Sequence, residues 1–138
     1  MIQLIIGEKG KGKTKVLLDK VNEEILSANG NFVYLDKSSK HMYELNNKVR
    51  LIDLSSYPVS NSDEFVGFIL GIISQDHDLE KMYFDNFLSI SNADADFEQV
   101  LNKLESISNK FKIDIVISMS KVKEDLSEAW QNSVIVSL

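Results

Sequence analysis

An α/β fold built on a mostly parallel sheet is what this sequence predicts, and three observations predict it. Short apolar runs alternate with segments whose apolar residues recur at helical spacing, the signature of strands joined by crossover helices. Several of those runs are nearly continuous in apolar residues, as in strands covered on both faces. The first run passes directly into a glycine- and lysine-rich loop that leads into a helical segment. At 138 residues the expectation is one domain over residues 1–138, with five or six strands.

Gln3 to Ile6 reads as the first buried strand, ended by Gly7. Lys13 to Ala28 carries Val16, Leu17, Val21, Ile25 and Leu26 at helical spacing, with Gly30 as a left-handed stop after Asn29. Phe32 to Leu35 and Val49 to Leu54 read as the second and third strands, with a short helix between Ser38 and Asn46. Pro58 lies in a polar loop, after which Asn61-x-x-Glu64 resembles a capping box for a helix over Asp63 to Ser74. Gly67 and Gly71 within it would let one helix face approach the sheet closely. Lys81 to Phe84 is the next strand, ending on Asp85. Asp96-x-x-Gln99 caps a helix whose Phe97, Val100, Leu101, Leu104, Ile107 and Phe111 form an apolar stripe. Ile113 to Ser118 is a strand, Lys123 to Trp130 a short helix, and Val134 to Val136 a last strand.

Composition narrows the function classes. Fifteen basic against 21 acidic residues give a net charge of −6, which disfavours nucleic acid as a partner. The absence of cysteine removes disulfides, thiolate zinc sites and thiol catalysis. No apolar run approaches the ~20 residues of a membrane span, and the N-terminus lacks the pattern of a signal peptide, so the expected location is the cytoplasm. Asp76-His77-Asp78 lacks spaced partners for a metal and reads as a polar loop; for His41 a contact with a base or a partner is the less favoured reading beside a residue of no special role.

The loop carries the chemistry. Gly7-Glu8-Lys9-Gly10-Lys11-Gly12-Lys13-Thr14 fits G-x-x-x-x-G-K-[ST] between a predicted strand and a predicted helix, the context in which that pattern has mechanical meaning. Its glycines let main-chain N–H groups crowd around phosphate oxygens, and the helix N-terminus adds its positive dipole end. Lys13 would reach the β- and γ-phosphates and Thr14 would be a magnesium ligand. Lys9, Lys11 and Lys15 add positive charge around the same loop.

These residues resemble the P-loop nucleoside-triphosphatase superfamily, which implies a three-layer α/β/α sandwich and ATP with Mg2+ as ligands. By that resemblance Asp85, after the strand Lys81 to Phe84, would hold the magnesium through a water. Asp53 is a competitor, less favoured because at least one strand–helix unit should separate this acid from the loop's strand. In the superfamily branch with a strand inserted between the two motifs, the residue after this acid is often a catalytic Glu. Here it is Asn86, an amide that cannot act as a general base. Ser118 resembles the polar position that senses the γ-phosphate; a serine satisfying loop backbone at a strand end fits as well. Short P-loop chains of this kind are sometimes labelled pilus-retraction (twitching-motility) ATPases, a resemblance covering mainly Gly7 to Thr14 and lacking that family's acidic and histidine boxes.

Absent residues exclude further classes. No Asp-x-x-Gly follows at Asp85, and Ser120-Lys121-Val122-Lys123 lacks the guanine-reading carboxylate, so ATP is favoured over GTP. Arg50 is the only arginine and falls in a predicted strand, which leaves no bidentate phosphate clamp of the kind small-molecule kinases use. Lys121 and Lys123 are candidates to replace an arginine finger or are plain solvated charge. The reading is an ATP-binding protein, a slow or partner-activated ATPase acting through nucleotide-dependent shape change. The alternatives are a non-catalytic nucleotide sensor that binds a protein partner and, less favoured, a phosphotransferase. Self-assembly and a monomer are equally compatible with the sequence.

Overall fold

The computed structural model describes residues 1–138. Six strands run parallel in one sheet: β1 (Ile2–Ile6), β2 (Asn31–Asp36), β3 (Val49–Asp53), β4 (Leu79–Phe84), β5 (Asp114–Met119) and β6 (Val134–Ser137). Their order across the sheet is β3-β2-β4-β5-β1-β6, so β5 lies between β1 and β4. The helices are α1 (Lys13–Glu24), α2 (Ser62–Gln75), α3 (Phe87–Ile90), α4 (Phe97–Phe111) and α5 (Glu128–Gln131).

Strand pleating divides the core into two layers, because successive side chains point to opposite faces. Leu4, Ile6, Val33, Leu35, Met82, Phe84, Ile115 and Ile117 join residues of α2, α3, α4 and α5 in the larger core. The intervening residues, Ile5, Phe32, Tyr34, Tyr83 and Val116, pack with Leu17, Leu18 and Val21 of α1 in the smaller one. The same alternation runs to the ends of β2 and β5 and one residue past β4. It assigns Asp36, Asp85 and Ser118 to the face that α1 covers, two residues beyond Tyr34, Tyr83 and Val116.

Each face is tied down by a few polar links. On α1, Glu24 accepts from the Tyr83 hydroxyl at 2.6 Å and pairs with Lys81 at 3.2 Å and Lys20 at 3.3 Å. At the start of α2, Asn61 accepts from the Glu64 amide at 2.8 Å as a helix cap should. The Glu64 carboxylate reaches back one residue further than a capping box requires, to the Ser60 amide and hydroxyl.

Several expectations are corrected. The helix read to Ala28 ends at Glu24 and tightens into a 3-10 turn over Ile25–Ser27. Gly30 is not left-handed; a Cβ there would collide with the Asp78 carbonyl, so the glycine serves close backbone approach. Between Ser38 and Asn46 only a 3-10 turn, Met42–Glu44, forms. Asn22 holds that segment against α1 by donating to the Glu44 carbonyl and accepting from the Asn46 amide. Gly67 and Gly71 point to open space rather than to the sheet. Asp96 does not cap α4: its backbone is not extended, and its carboxylate accepts from the Asp94 amide and the Ser62 hydroxyl instead. Phe111, at the end of the α4 stripe, is exposed. The segment Lys123 to Trp130 splits into a 3-10 turn and α5 because Leu126 takes an extended backbone to bury its side chain. The one-turn α3 is too short to show a period in the sequence.

Candidate functional site

The loop Gly7 to Thr14 lies at the carboxyl end of the sheet, between β1 and the first turn of α1. Gly10 and Gly12 adopt φ of 85° and 95°, left-handed conformations that a side chain would strain. The backbone amides of Glu8, Lys9, Gly10, Gly12, Lys13 and Thr14 donate to nothing within the chain. Six main-chain donors are therefore left at one loop, where the helix dipole also favours negative charge. The Lys13 ammonium folds back to donate to the Glu8 carbonyl at 3.0 Å. Burial lowers its pKa, although the charge of Asp85 pulls it up.

Opposite the loop, three hydroxyl groups converge on the Asp85 carboxylate. Thr14 shares its single proton between Oδ1 and Oδ2, each at 3.1 Å. Tyr34 donates to Oδ2 at 3.0 Å and Ser118 to Oδ1 at 2.9 Å. Ser118 in turn accepts from the Asn86 amide at 2.9 Å, so it serves both the carboxylate and the loop backbone. Asn86 itself is held at φ 55° at the start of α3. Because the Thr14 proton points to Asp85, the lone pairs of its oxygen stay available to a cation. A threonine hydroxyl beside a carboxylate is an all-oxygen donor set of the kind a hard divalent ion such as magnesium prefers.

Loop and carboxylate frame a cleft of about 340 Å³ lined by Lys9, Gly10, Gly12, Lys13 and Thr14 with Asp85, Asn86, Ser118 and Ser120, and by no apolar side chain. Ser120 was not anticipated from the sequence. Gly7 donates its amide to the Lys121 carbonyl, Lys11 is exposed, and Lys15 pairs with Asp19 at 3.1 Å. Asp53 lies elsewhere, capping a 3-10 turn by accepting from the Ser55 amide and hydroxyl. Lys121 rests over the Phe97 ring at 4.7 Å. Arg50, near the amino end of the edge strand β3, shares a small pocket with Lys48, Asn31 and Asp76. Asp76 accepts from Asn31 and from the Asp78 amide, which ties the Asp76–Asp78 loop to β2.

Asp36 is the residue the sequence reading missed. It ends β2 on the same sheet face as Asp85 and is buried, with Oδ1 accepting from the Lys37 amide. Its Oδ2 has no hydrogen-bond partner and no solvent access. Burial, and then the charge of Asp85, push its carboxyl above the usual range against the pull of the Lys37 amide. The available signal was an acid ending a fully apolar run, Phe32-Val33-Tyr34-Leu35-Asp36, the same pattern that drew attention to Asp85.

No known family profile matches the sequence, and no curated protein matches it. Among solved structures the chain is similar to a KaiC-like protein from the hyperthermophilic archaeon Pyrococcus horikoshii OT3, at 18% identity and a TM-score of 0.63. The match covers 87% of this chain and 62% of that one, so the chain spans less than two thirds of its neighbour's length. At this identity the likeness is one of fold: a parallel six-stranded sheet with helices packed on both faces.

Proposed function

We propose that this chain binds ATP with magnesium in the cleft between the Gly7–Thr14 loop and Asp85, and hydrolyses it slowly unless a partner or a second copy assists. The observation that carries the reading is the set of six unpaired main-chain amides at that loop, beside a threonine–carboxylate pair of oxygen donors. The amides and Lys13 would hold the phosphates, with Lys13 leaving the Glu8 carbonyl to reach the β- and γ-oxygens. Thr14 and, through a water, Asp85 would hold magnesium, which supplies charge neutralisation across the β- and γ-phosphates. Ser118 donates to one oxygen of Asp85 and accepts from the main-chain N–H of Asn86. With no apolar wall in the cleft, recognition falls on the phosphates, and ATP is favoured over GTP only because the sequence lacks a guanine-reading carboxylate.

Slow turnover follows from which groups can take a proton. Asn86 lines the cleft but its amide is no base. Asp36 is a second carboxylate on the same sheet face, yet its Oδ2 is shut away. Movement of the segment after β2, where Lys37 is tied to the Ser89 carbonyl at 3.0 Å, would bring that oxygen to an attacking water. Hydrolysis is thereby coupled to a change of shape. Such a protein would work in the cytoplasm, where ATP is supplied.

The second reading, a non-catalytic nucleotide sensor, rests on the same enclosure of Asp36. Phosphate release from ATP and Mg2+ separates the two. The expected result is slow release that Lys13→Ala abolishes together with binding, and that Asp36→Asn abolishes while binding persists. Binding without any release in the wild type would leave the sensor reading. No binding at all would overturn both.

A further inference from the structure

The buried phenol of Tyr34 has no structural need that a phenylalanine would not meet. Its side chain lies in the core under α1, fully inaccessible, at a β2 position where pleating asks only for apolar volume. Burying a hydroxyl there costs free energy unless it finds a partner. The one it finds is Asp85 Oδ2, at 3.0 Å. The neighbouring strand offers a contrast. Tyr83, directly beside Tyr34 in the β2–β4 register, spends its hydroxyl on Glu24 at the far end of α1, where it ties helix to sheet. Two equally buried tyrosines side by side thus serve opposite ends of the sheet, one the scaffold and one the candidate metal site.

The donors on Asp85 are unequal. Ser118 holds only Oδ1, and Thr14 divides one proton between both oxygens. Tyr34 is the sole donor committed to Oδ2. The terminal torsion of an aspartate is broad and roughly two-fold, so a carboxylate held by one oxygen swings readily. With Ser118 and Tyr34 each holding a separate oxygen, the carboxylate plane is fixed relative to Thr14. A third brace also occupies a lone pair of Oδ2 and leaves Asp85 fewer sites for direct ligation, which favours contact with a cation through water.

We propose that Tyr34 is a positioning residue for divalent-cation binding: its hydroxyl fixes the Asp85 carboxylate so that Thr14 and Asp85 together receive the cation accompanying a nucleotide. This rests on the reading of the cleft as a magnesium–nucleotide site and adds to it a residue from β2, the strand that ends at Asp36. Because the hydroxyl shares the carboxylate with the cation, Tyr34 senses whether the cation is bound.

The test is calorimetric binding of ATP to wild type, Tyr34→Phe and Tyr83→Phe, each with Mg2+ and with a chelator. It is paired with the ultraviolet difference spectrum recorded as Mg2+ is added to the nucleotide-loaded protein. Tyr34→Phe should bind ATP as wild type does without Mg2+, and lose about three- to tenfold of the affinity that Mg2+ adds, the worth of roughly one hydrogen bond. Tyr83→Phe should keep the full Mg2+ effect while melting at a lower temperature. Wild type should show a buried-tyrosine difference signal on Mg2+ addition that Tyr34→Phe lacks. An unchanged Mg2+ effect in Tyr34→Phe overturns the proposal and leaves the nucleotide site standing. So does a wild-type spectrum without a tyrosine signal, a result that holds even if Tyr34→Phe fails to fold. Wild type that binds ATP with no Mg2+ effect, or does not bind ATP, overturns the site reading itself and this proposal with it.

Discussion

Asp36 and Asp85 end neighbouring strands on one face of the sheet, yet their surroundings differ sharply. Asp85 is met by three hydroxyl donors, whereas one oxygen of Asp36 is met by none. A buried acceptor without a partner costs on the order of 1–3 kcal/mol, so Asp36 should lower stability at neutral pH. Because its folded-state pKa is raised, that penalty is fully present above the folded value and disappears below the unfolded value, about 3.9. Asp36→Asn is expected to raise the melting temperature at pH 7, by an amount that shrinks as the pH falls toward 4. Thermal melts across that range check this, and an unchanged or lower melting temperature at pH 7 would count against an unpaired charge. Coupled with lost hydrolysis, the gain would mark Asp36 as a group kept for chemistry at the expense of stability.

At the scale of elements, α1 is anchored at both ends, by Thr14 to Asp85 and by Glu24 to Tyr83, Lys81 and Lys20. Burial pushes the Glu24 carboxyl up, but the Tyr83 hydroxyl and the ammonium groups of Lys81 and Lys20 outweigh it and hold the pKa below its usual value. The stability it contributes is therefore present above an unfolded value of about 4.3 and is lost as pH falls through the folded value. Glu24→Ala should cost about 1–3 kcal/mol at pH 7, measured by denaturant unfolding, and much less in acid. On α2, Gly67 and Gly71 face open space, so alanine at either should stabilise the helix by roughly 0.5–1 kcal/mol. A loss there would show that the glycines serve a contact outside the chain.

These elements also show what the sequence could disclose. The six strands were readable from apolar runs, α2 from its period and N-cap, and α4 from its period alone, because local pattern and burial coincide there. The loop Gly7 to Thr14 was readable because its constraints are contiguous in the chain. Asp36, Tyr34 and Ser120 were not, since their meeting with the cleft or with Asp85 depends on strand order and pleat. The direction of Gly67 and Gly71 was missed for a related reason: spacing says that two residues share a helix face, not which face is buried.

For the whole molecule, strand order is what assembles the site. Residues 14, 34, 85 and 118 are distant in sequence and meet because β5 lies between β1 and β4, and β2 beside β4, with one face under α1. A ligand bound to this arrangement and not to the unfolded chain must stabilise it. At 100 times its dissociation constant ATP with Mg2+ should add about 2.7 kcal/mol, a rise in melting temperature on the order of 10 °C. Comparable rises with GTP would show that the phosphates dominate recognition, and a rise with ATP alone would reveal a base contact.

If the Gly7–Thr14 loop binds the phosphates of ATP with Lys13 as the charged contact, affinity must depend on that ammonium. Equilibrium binding of ATP with Mg2+ to wild type and to Lys13→Ala, both confirmed folded, tests it most directly. The account predicts saturable one-to-one binding in wild type and a loss of at least tenfold in Lys13→Ala, as expected for removing a charge-assisted hydrogen bond. Equal affinity in the two proteins, or no binding to wild type, would contradict it.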